Sequence, residues 1–390
     1  MEMFAQRSRS ELASAGKALI AQGRDVIDLS MFNPDLAPPR YAVDKLLEAS
    51  VKSSNHRYGV ARGIRKLREA FALKYQRAFG VSLDPESQVC VSLGSKDALE
   101  RALICLKEAG FGPSILLGTP SYPGHLIAAR LCGLQPCYFP LNHQQDSMLE
   151  SLQALLKAHP GSIVLLNFPN NPSGNAVTAS FYDALLPAVV RSGSFVINDF
   201  VYGEMGPQGQ PFPSLLSSAQ AHDPCAETYS LSKAYSLAGW RVAALCGQKQ
   251  LVSAVAALKS LADYGLFLPL QMAASATLNS ELDLVQESVR VYARRCEVLA
   301  QGLLQLGWEL SSPAAGACLW ARLPACFRAE ADASAACVGF CRDFLRKSAV
   351  STLPGKEFGQ EWSEYVRFAC VVPEERIREV LERLAAFQRK

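Results

Sequence analysis

Between residues 88 and 246 the chain alternates short, β-rich apolar runs with helical stretches, and this rhythm limits the possible folds more than any other feature. The runs are Gln88–Leu93, Ser114–Leu117, Gln135–Phe139, Ser162–Phe168, Ser194–Asn198, Thr228–Leu231 and Val242–Cys246. Helical stretches at 97–107, 122–132, 148–158 and 180–192 separate most of them. Such alternation predicts an α/β domain with a mostly parallel central sheet flanked by helices. Outside it the texture changes. Helical periodicity marks 8–24, 41–53 and 62–79, with a strand-like run at Val26–Ser30 and an extended segment set by Pro34, Pro38 and Pro39. A long helical region from 251 to about 306 is broken near 267–269. Beyond it, strand-like runs at Trp308–Ser311, Ala317–Arg322 and Tyr365–Cys370 and helices at 334–347 and 374–388 predict a smaller α+β domain, which the N-terminal segment joins. The expected division is 43–282 for the large domain, with 1–42 and 283–390 forming the small one.

A chain of 390 residues suffices for two cores of that kind. A net charge of +3 and the lack of any long Lys/Arg run argue against nucleic-acid or membrane partners. Twelve cysteines are scattered with no Cys-x-x-Cys, many inside apolar runs, which predicts free buried thiols and no metal site. No apolar N-terminal region marks a secretory signal, and no apolar stretch approaches a membrane span, so a cytoplasmic protein is expected.

In an open α/β sheet, functional groups gather in loops at the carboxyl ends of strands. One such loop, between the runs ending at Leu231 and beginning at Val242, carries Lys233, with Ser230 and Ser232 before it and Arg241 after it. A lysine held there loses hydration and gains cationic neighbours. Both effects lower its pKa and make the amine nucleophilic, as a Schiff-base lysine requires. Gly94-Ser-Lys-Asp97 follows the first run and opens a helix, so the free amides at Ser95 and Lys96 can hold an anion; taken alone, it reads as an ordinary cap. Pro169-Asn-Asn-Pro-Ser-Gly174 ends another run, and Asn171 precedes a proline and is held extended. Asp199 ends a buried run, where a carboxylate is costly unless a cation pairs with it, and Tyr202 follows three residues later. Arg367 lies inside Tyr365–Cys370, either paired structurally or aimed at a ligand anion. A phosphate cradle, a buried acid, a phenol and a Schiff-base lysine are together what pyridoxal 5′-phosphate needs.

From about Arg24 to Leu384 the chain resembles the class I/II (fold type I) pyridoxal-phosphate aminotransferases, most of all the bacterial alanine (glutamate–pyruvate) and LL-diaminopimelate aminotransferases. The resemblance rests on Met31-Phe-Asn-Pro-Asp35, Tyr58-Gly-Val-Ala-Arg-Gly63, Asp84-Pro-Glu-Ser87, Gly94-Ser-Lys-Asp97, Pro120-Ser-Tyr-Pro123, Leu231-Ser-Lys233, Ala238-Gly-Trp-Arg241 and the run Asp263 to Gln271. It implies that Lys233 is the Schiff-base lysine and proton carrier, that Asp199 keeps the pyridine nitrogen protonated, and that Tyr202 and Asn171 hydrogen-bond the ring oxygen. Tyr122 would stack on the ring. Ser95, Lys96, Ser230, Ser232 and Arg241 would surround the phosphate, with Tyr58 from the second subunit of a homodimer. Arg367 would clamp the substrate α-carboxylate. Asn171, Tyr122 and Phe32 complete the expected substrate site. Gly316 fits the family's small-domain glycine.

The family usually has glycine where this chain has Phe32. A phenylalanine fills volume and cannot take a positive φ cheaply. No Lys or Arg occurs between Lys259 and Arg290, so the loop 261–268 offers no cation to a second substrate carboxylate. The resemblance therefore implies transfer between a small neutral amino acid, alanine first, and 2-oxoglutarate or pyruvate, by a ping-pong mechanism. LL-diaminopimelate aminotransfer, or a lyase, decarboxylase or synthase reaction on the same scaffold, is the alternative.

Overall fold

A computed structural model describes residues 7–142, 144–206, 209–280, 284–311, 317–329 and 336–389. In chain order, β1 (Ile27–Asp28) precedes the strands of the central sheet: β2 (Val89–Ser92), β3 (Ser114–Thr119), β4 (Gln135–Pro140), β5 (Ile163–Leu166), β6 (Phe195–Asp199), β7 (Cys225–Ser230) and β8 (Ala243–Gly247). They lie side by side as β2-β8-β7-β6-β5-β3-β4. The pairs from β7 to β4 are parallel, and β8 runs antiparallel to both its neighbours. The sheet is thus mostly parallel, as the alternating pattern predicts.

The strands are apolar on both faces because helices cover both. Ile115, Leu117, Ile163, Leu165, Phe195 and Ile197 pack on one side against the helices Ser95–Glu108, Pro123–Leu131 and Lys249–Ala262. Their alternates Leu116, Val164, Leu166 and Val196 pack on the other side against Arg65–Phe79, Gln145–Ala158 and Ala179–Arg191. Each such side chain, fully buried, contributes about 1.5–3 kcal/mol of transfer free energy.

A second core joins both ends of the chain. Leu12, Ile27 and Leu29 pack with Leu299, Phe340, Phe344, Phe368 and Leu384. Its strands are β9 (Glu309–Leu310), β10 (Cys318–Arg322), β11 (Val350–Ser351), β12 (Leu353–Pro354) and β13 (Tyr365–Ala369). Four of them form the antiparallel order β12-β13-β10-β9, and β1 pairs in parallel with β11, Ile27 opposite Val350. The N-terminal helix, Arg7–Ala21, lies on the helix Ala336–Ser348 of the same core.

The long helical region predicted from 251 is divided among Lys249–Ala262, Leu268–Leu278 and Leu284–Gln305. The first interruption falls at 263–267, ahead of the predicted one. There Tyr264 and Gly265 both take positive φ, 55° and 87°. Pro269 sits in the first turn of the next helix, where its missing N–H costs nothing. The strand expected at Thr228–Leu231 begins earlier, at Cys225. Gly316 and residue 334 lie outside the described residues. Among the described residues no helix is long and apolar enough to cross a membrane, and no group of three or more His, Cys, Asp or Glu side chains could hold a metal.

Candidate active site

A cavity of about 450 Å³ opens at the carboxyl ends of the central strands, and Phe32, Ser95, Lys96, Tyr122, Asn171, Asp199, Tyr202, Ser232, Lys233, Arg241 and Arg367 all line it. Residues that stand up to 358 positions apart in the chain, Arg9 and Arg367, meet there because the loops after β2, β3, β5, β6 and β7 share one edge, and the small core supplies the facing wall.

One end is built to hold an anion. Gly94 takes φ 89° immediately before the helix Ser95–Glu108, and Ser95 and Lys96, whose amides have no partner within the helix, line the cavity. A Cβ at Gly94 would collide with the Arg241 guanidinium, which lies against this turn. Arg241 is itself held in the left-handed region, φ 56°, and donates to the Ala238 carbonyl at 3.1 Å. Ser232 lines the cavity, and Ser230 donates to the Ser232 hydroxyl at 2.8 Å from behind. The turn is stiffened from below. Asp97 accepts from the Leu93 amide and pairs with Arg101 at 2.6 Å and with the fully buried Lys259 at 3.4 Å, and Lys259 also pairs with Asp263 at 2.9 Å. The one acid of the 261–268 loop is therefore engaged within this network, not presented to a ligand.

The floor is Asp199. Its Oδ1 accepts from the Thr228 hydroxyl at 2.7 Å and its Oδ2 is 2.9 Å from His125 Nε2. An ionised carboxylate only accepts, so Nε2 is the protonated nitrogen of His125. The Asn167 side chain donates to the Asp199 carbonyl at 2.8 Å and also accepts from the Asn171 amide at 3.0 Å, which ties the two loops together. Tyr122 caps the helix Pro123–Leu131, sets its ring edge-on to His125 at 5.3 Å, and has the Lys96 ammonium over its face at 5.3 Å.

Lys233 reaches across the cavity to the opposite wall. Its Nζ donates to the Phe32 carbonyl and lies 4.6 Å from the Phe32 ring centroid. Burial, together with the Arg367 and Arg241 cations nearby, pushes its pKa down to about 8, although the Cys318 thiol acts in the other direction. Phe32 is itself buried, stacked on Tyr202 at 5.7 Å and edge-on to Tyr292 at 5.8 Å, and it adopts no positive φ. The strain that the sequence raised is absent, because the chain takes another backbone conformation there. Burial pushes the Tyr202 phenol well above its ordinary pKa, and Asn171 donates to its oxygen at 3.5 Å.

Arg367, on β13, donates to Asn171 Oδ1 at 3.0 Å and to the Ser30 carbonyl. Among the described residues its buried Nε has no partner and no carboxylate pairs with it. Of the two readings of this arginine, the geometry favours one aimed at a ligand anion.

Tyr58 stands apart from this cavity. It is 88% exposed and packs its ring 5.0 Å from Tyr264 on an outer surface that Phe267 also borders. Four residues of the site escaped the sequence reading: His125, Thr228, Asn167 and Arg9, which lines the cavity from the N-terminal helix. His125, three positions beyond Tyr122 at a helix start, carried a weak signal. Arg9 carried none.

A profile described as aminotransferase class I and II matches residues 24–384. The chain is 35% identical over 369 residues to the glutamate-pyruvate aminotransferase AlaC of Escherichia coli K12, covering 94% of this chain and 88% of that protein. It is 31% identical over 371 residues to an LL-diaminopimelate aminotransferase of Dehalococcoides mccartyi, covering 95% and 93%. Among solved structures, the aspartate aminotransferase of Thermotoga maritima superposes with a TM-score of 0.87 at 26% identity, over 98% of this chain and 97% of that one.

Proposed function

The chain belongs to the class I and II aminotransferases, and from that premise we propose that it uses pyridoxal 5′-phosphate to move an amino group between a small neutral L-amino acid, alanine first, and pyruvate or 2-oxoglutarate. One observation carries this reading: Lys233, Asp199 and Arg367 converge on one cavity whose far end is an anion cradle. The residues fit the cofactor. The Gly94 turn leaves room for the Arg241 guanidinium and no more, and Asp199 meets the cavity with its carboxylate anchored by His125, while the buried Arg367 Nε is left for the substrate.

When bound, the cofactor supplies a protonated ring that withdraws electrons from the substrate Cα. The protein does the rest. Ser95, Lys96, Ser232 and Arg241 hold the phosphate, with Ser230 supporting Ser232. Asp199 keeps a proton on the ring nitrogen, and Tyr202 and Asn171 hydrogen-bond the ring oxygen. Tyr122 covers one ring face. Arg367 fixes the α-carboxylate bidentately. Lys233 Nζ, whose lowered pKa makes its neutral form accessible near neutral pH, takes the proton from the substrate Cα and returns it. Phe32 backs the lysine and narrows the space for a side chain, which supports a small substrate.

The same reading makes the enzyme a homodimer in which Tyr58 serves the partner's site, with residues 43–282 as the cofactor domain and 1–42 with 283–390 as the small domain. Twelve free cysteines support a reducing, cytoplasmic setting. The test is a spectrum of the cofactor-loaded protein before and after addition of single amino acids. Alanine should bleach the near-visible band, and pyruvate or 2-oxoglutarate should restore it. A band that no amino donor bleaches, or that no 2-oxo acid restores, would exclude the reading.

A further inference from the structure

Among the described residues five cations line the cavity, Arg9, Lys96, Lys233, Arg241 and Arg367, against one carboxylate, Asp199. Four of them have work in the reading proposed above: Lys96 and Arg241 at the phosphate end, Lys233 at the reacting atom, and Arg367 at the α-carboxylate. Arg9 has none. Among the described residues it forms no ion pair, and its guanidinium has one hydrogen-bond partner, the Met31 sulfur at 4.0 Å. A guanidinium presents five donors in a fixed fork, and a thioether is a poor acceptor for them.

Its position is informative. Arg367 donates to the carbonyl of Ser30, and Arg9 reaches the side chain of Met31, the next residue. The two guanidiniums therefore grip one short stretch of chain, and the residue after it, Phe32, holds Lys233. A substrate whose α-carboxylate sits on Arg367 and whose Cα faces Lys233 would extend its far end past Met31. Arg9 stands on the first turn of the N-terminal helix, which is anchored to the small core through Leu12 and tied by Ser8 to Glu357, beside the cavity-lining Phe358. Glu357 accepts from Ser8, and among the described residues it forms no ion pair with Arg9. The long side chain is otherwise exposed and can swing clear.

We infer that Arg9 receives the distal carboxylate of an amino or 2-oxo dicarboxylic acid of the glutamate type. This rests on the aminotransferase reading and accounts for what that reading leaves open. The 261–268 loop offers no cation, yet a second carboxylate that leaves water for the cavity needs one. Arg9 supplies it from the opposite wall. Because the side chain is exposed and withdraws, a neutral partner such as alanine meets no stranded charge, and one site serves both halves of the exchange.

The experiment uses the full-length cofactor-loaded enzyme and three variants, Arg9→Met, Arg9→Lys and Lys96→Met. Two quantities are read: the ratio of kcat/KM for glutamate to that for alanine, and the equilibrium affinity of glutarate against butyrate, neither of which reacts. Arg9→Met should lower the glutamate-to-alanine ratio about tenfold or more, through KM, and should remove the preference for glutarate together with its salt dependence. Arg9→Lys should restore part of both. A ratio and a glutarate preference that stay within twofold in Arg9→Met would overturn the inference. So would a loss of the preference in Lys96→Met but not in Arg9→Met, which would assign the carboxylate to Lys96. If the parent transaminates neither amino acid, the functional reading fails, and the glutarate–butyrate comparison still decides the role of Arg9.

Discussion

His125 Nε2 lies 2.9 Å from Asp199 Oδ2, and both side chains are buried, Asp199 at the cavity floor and His125 behind it. The second carboxylate oxygen is occupied by Thr228, so Asp199 is oriented from behind and shows its remaining lone pairs to the cavity. A buried carboxylate oriented in this way can accept from a protonated ring atom in front of it.

Replacing the acid should therefore cost far more than replacing its support. Asp199→Ala should lower kcat/KM hundreds-fold or more, since several kcal/mol of transition-state stabilisation disappear. His125→Phe, which leaves the carboxylate but removes its anchor, should cost about 10- to 100-fold. Steady-state kinetics with alanine checks both. An Asp199→Ala enzyme with near-parental turnover would remove the role assigned to this residue.

The ionisation of Lys233 gives a pH test that needs no substrate. Burial comes first among its causes, and the Arg367 and Arg241 cations add to it, so the amine of the folded protein titrates at about 8 against an ordinary 10.5. Between these values the unfolded chain binds a proton that the folded chain does not. The stability of the cofactor-free protein should therefore rise with pH through that window, and the penalty should be fully present below pH 8. Competitive acetylation followed by peptide mass spectrometry should place the midpoint of Lys233 reactivity near pH 8, and Arg367→Leu should move it upward. A midpoint near 10.5 would contradict the enclosure of this side chain.

The sheet was legible because parallel strands covered on both faces write themselves as unbroken apolar runs, and Ile163–Leu166 and Phe195–Asp199 are such runs. Lys233, Asp199 and Asn171 were legible for a related reason: each ends or follows a run, where a sheet of this kind collects its chemistry. His125 was not, because its role depends on β3 and β6 lying on either side of β5, a fact of strand order that no local pattern carries. Arg9 was less legible still. Its helix reads as a surface helix, and only the pairing of β1 with β11 and the docking of Leu12 into the small core bring it over the cavity. The environment of Phe32 was also hidden. Its volume could be read from the sequence, but not its stacking on Tyr202 or the carbonyl it offers to Lys233.

That environment gives Phe32→Gly two separable effects. The ring is buried between Tyr202 and Tyr292, so its removal should cost about 3–5 kcal/mol of stability, read as a lower denaturant midpoint. The vacated volume adjoins Lys233, so longer side chains should gain access. The ratio of kcat/KM for LL-diaminopimelate to that for alanine should rise at least tenfold, about 1.4 kcal/mol of discrimination. If the parent enzyme already prefers LL-diaminopimelate by that margin, Phe32 does not narrow the pocket and the longer diamino acid replaces alanine as the expected substrate.

The surface around Tyr58 bears on assembly. Tyr58 is 88% exposed, and Val60, Leu261, Tyr264 and Phe267 are also exposed nearby in the chain or against it. Apolar and aromatic groups gathered in this way are what an interface buries. A tyrosine on this surface cannot serve its own protomer's cavity, which it does not line, but it can serve the cavity of a two-fold partner. The protein should sediment as a dimer, and Tyr58→Phe should weaken cofactor retention through loss of one hydrogen bond to an anion, worth about 1.5–3 kcal/mol. Lys233→Ala dimers should be inactive. Mixing the two variants should produce heterodimers in which one site has Lys233 from one protomer and Tyr58 from its partner, while the other site has neither. Cofactor retention and turnover should then rise above the sum of the separate variants as exchange proceeds. If mass spectrometry verifies subunit exchange and neither quantity changes, Tyr58 acts within its own protomer or not at all, and the shared-site arrangement is wrong.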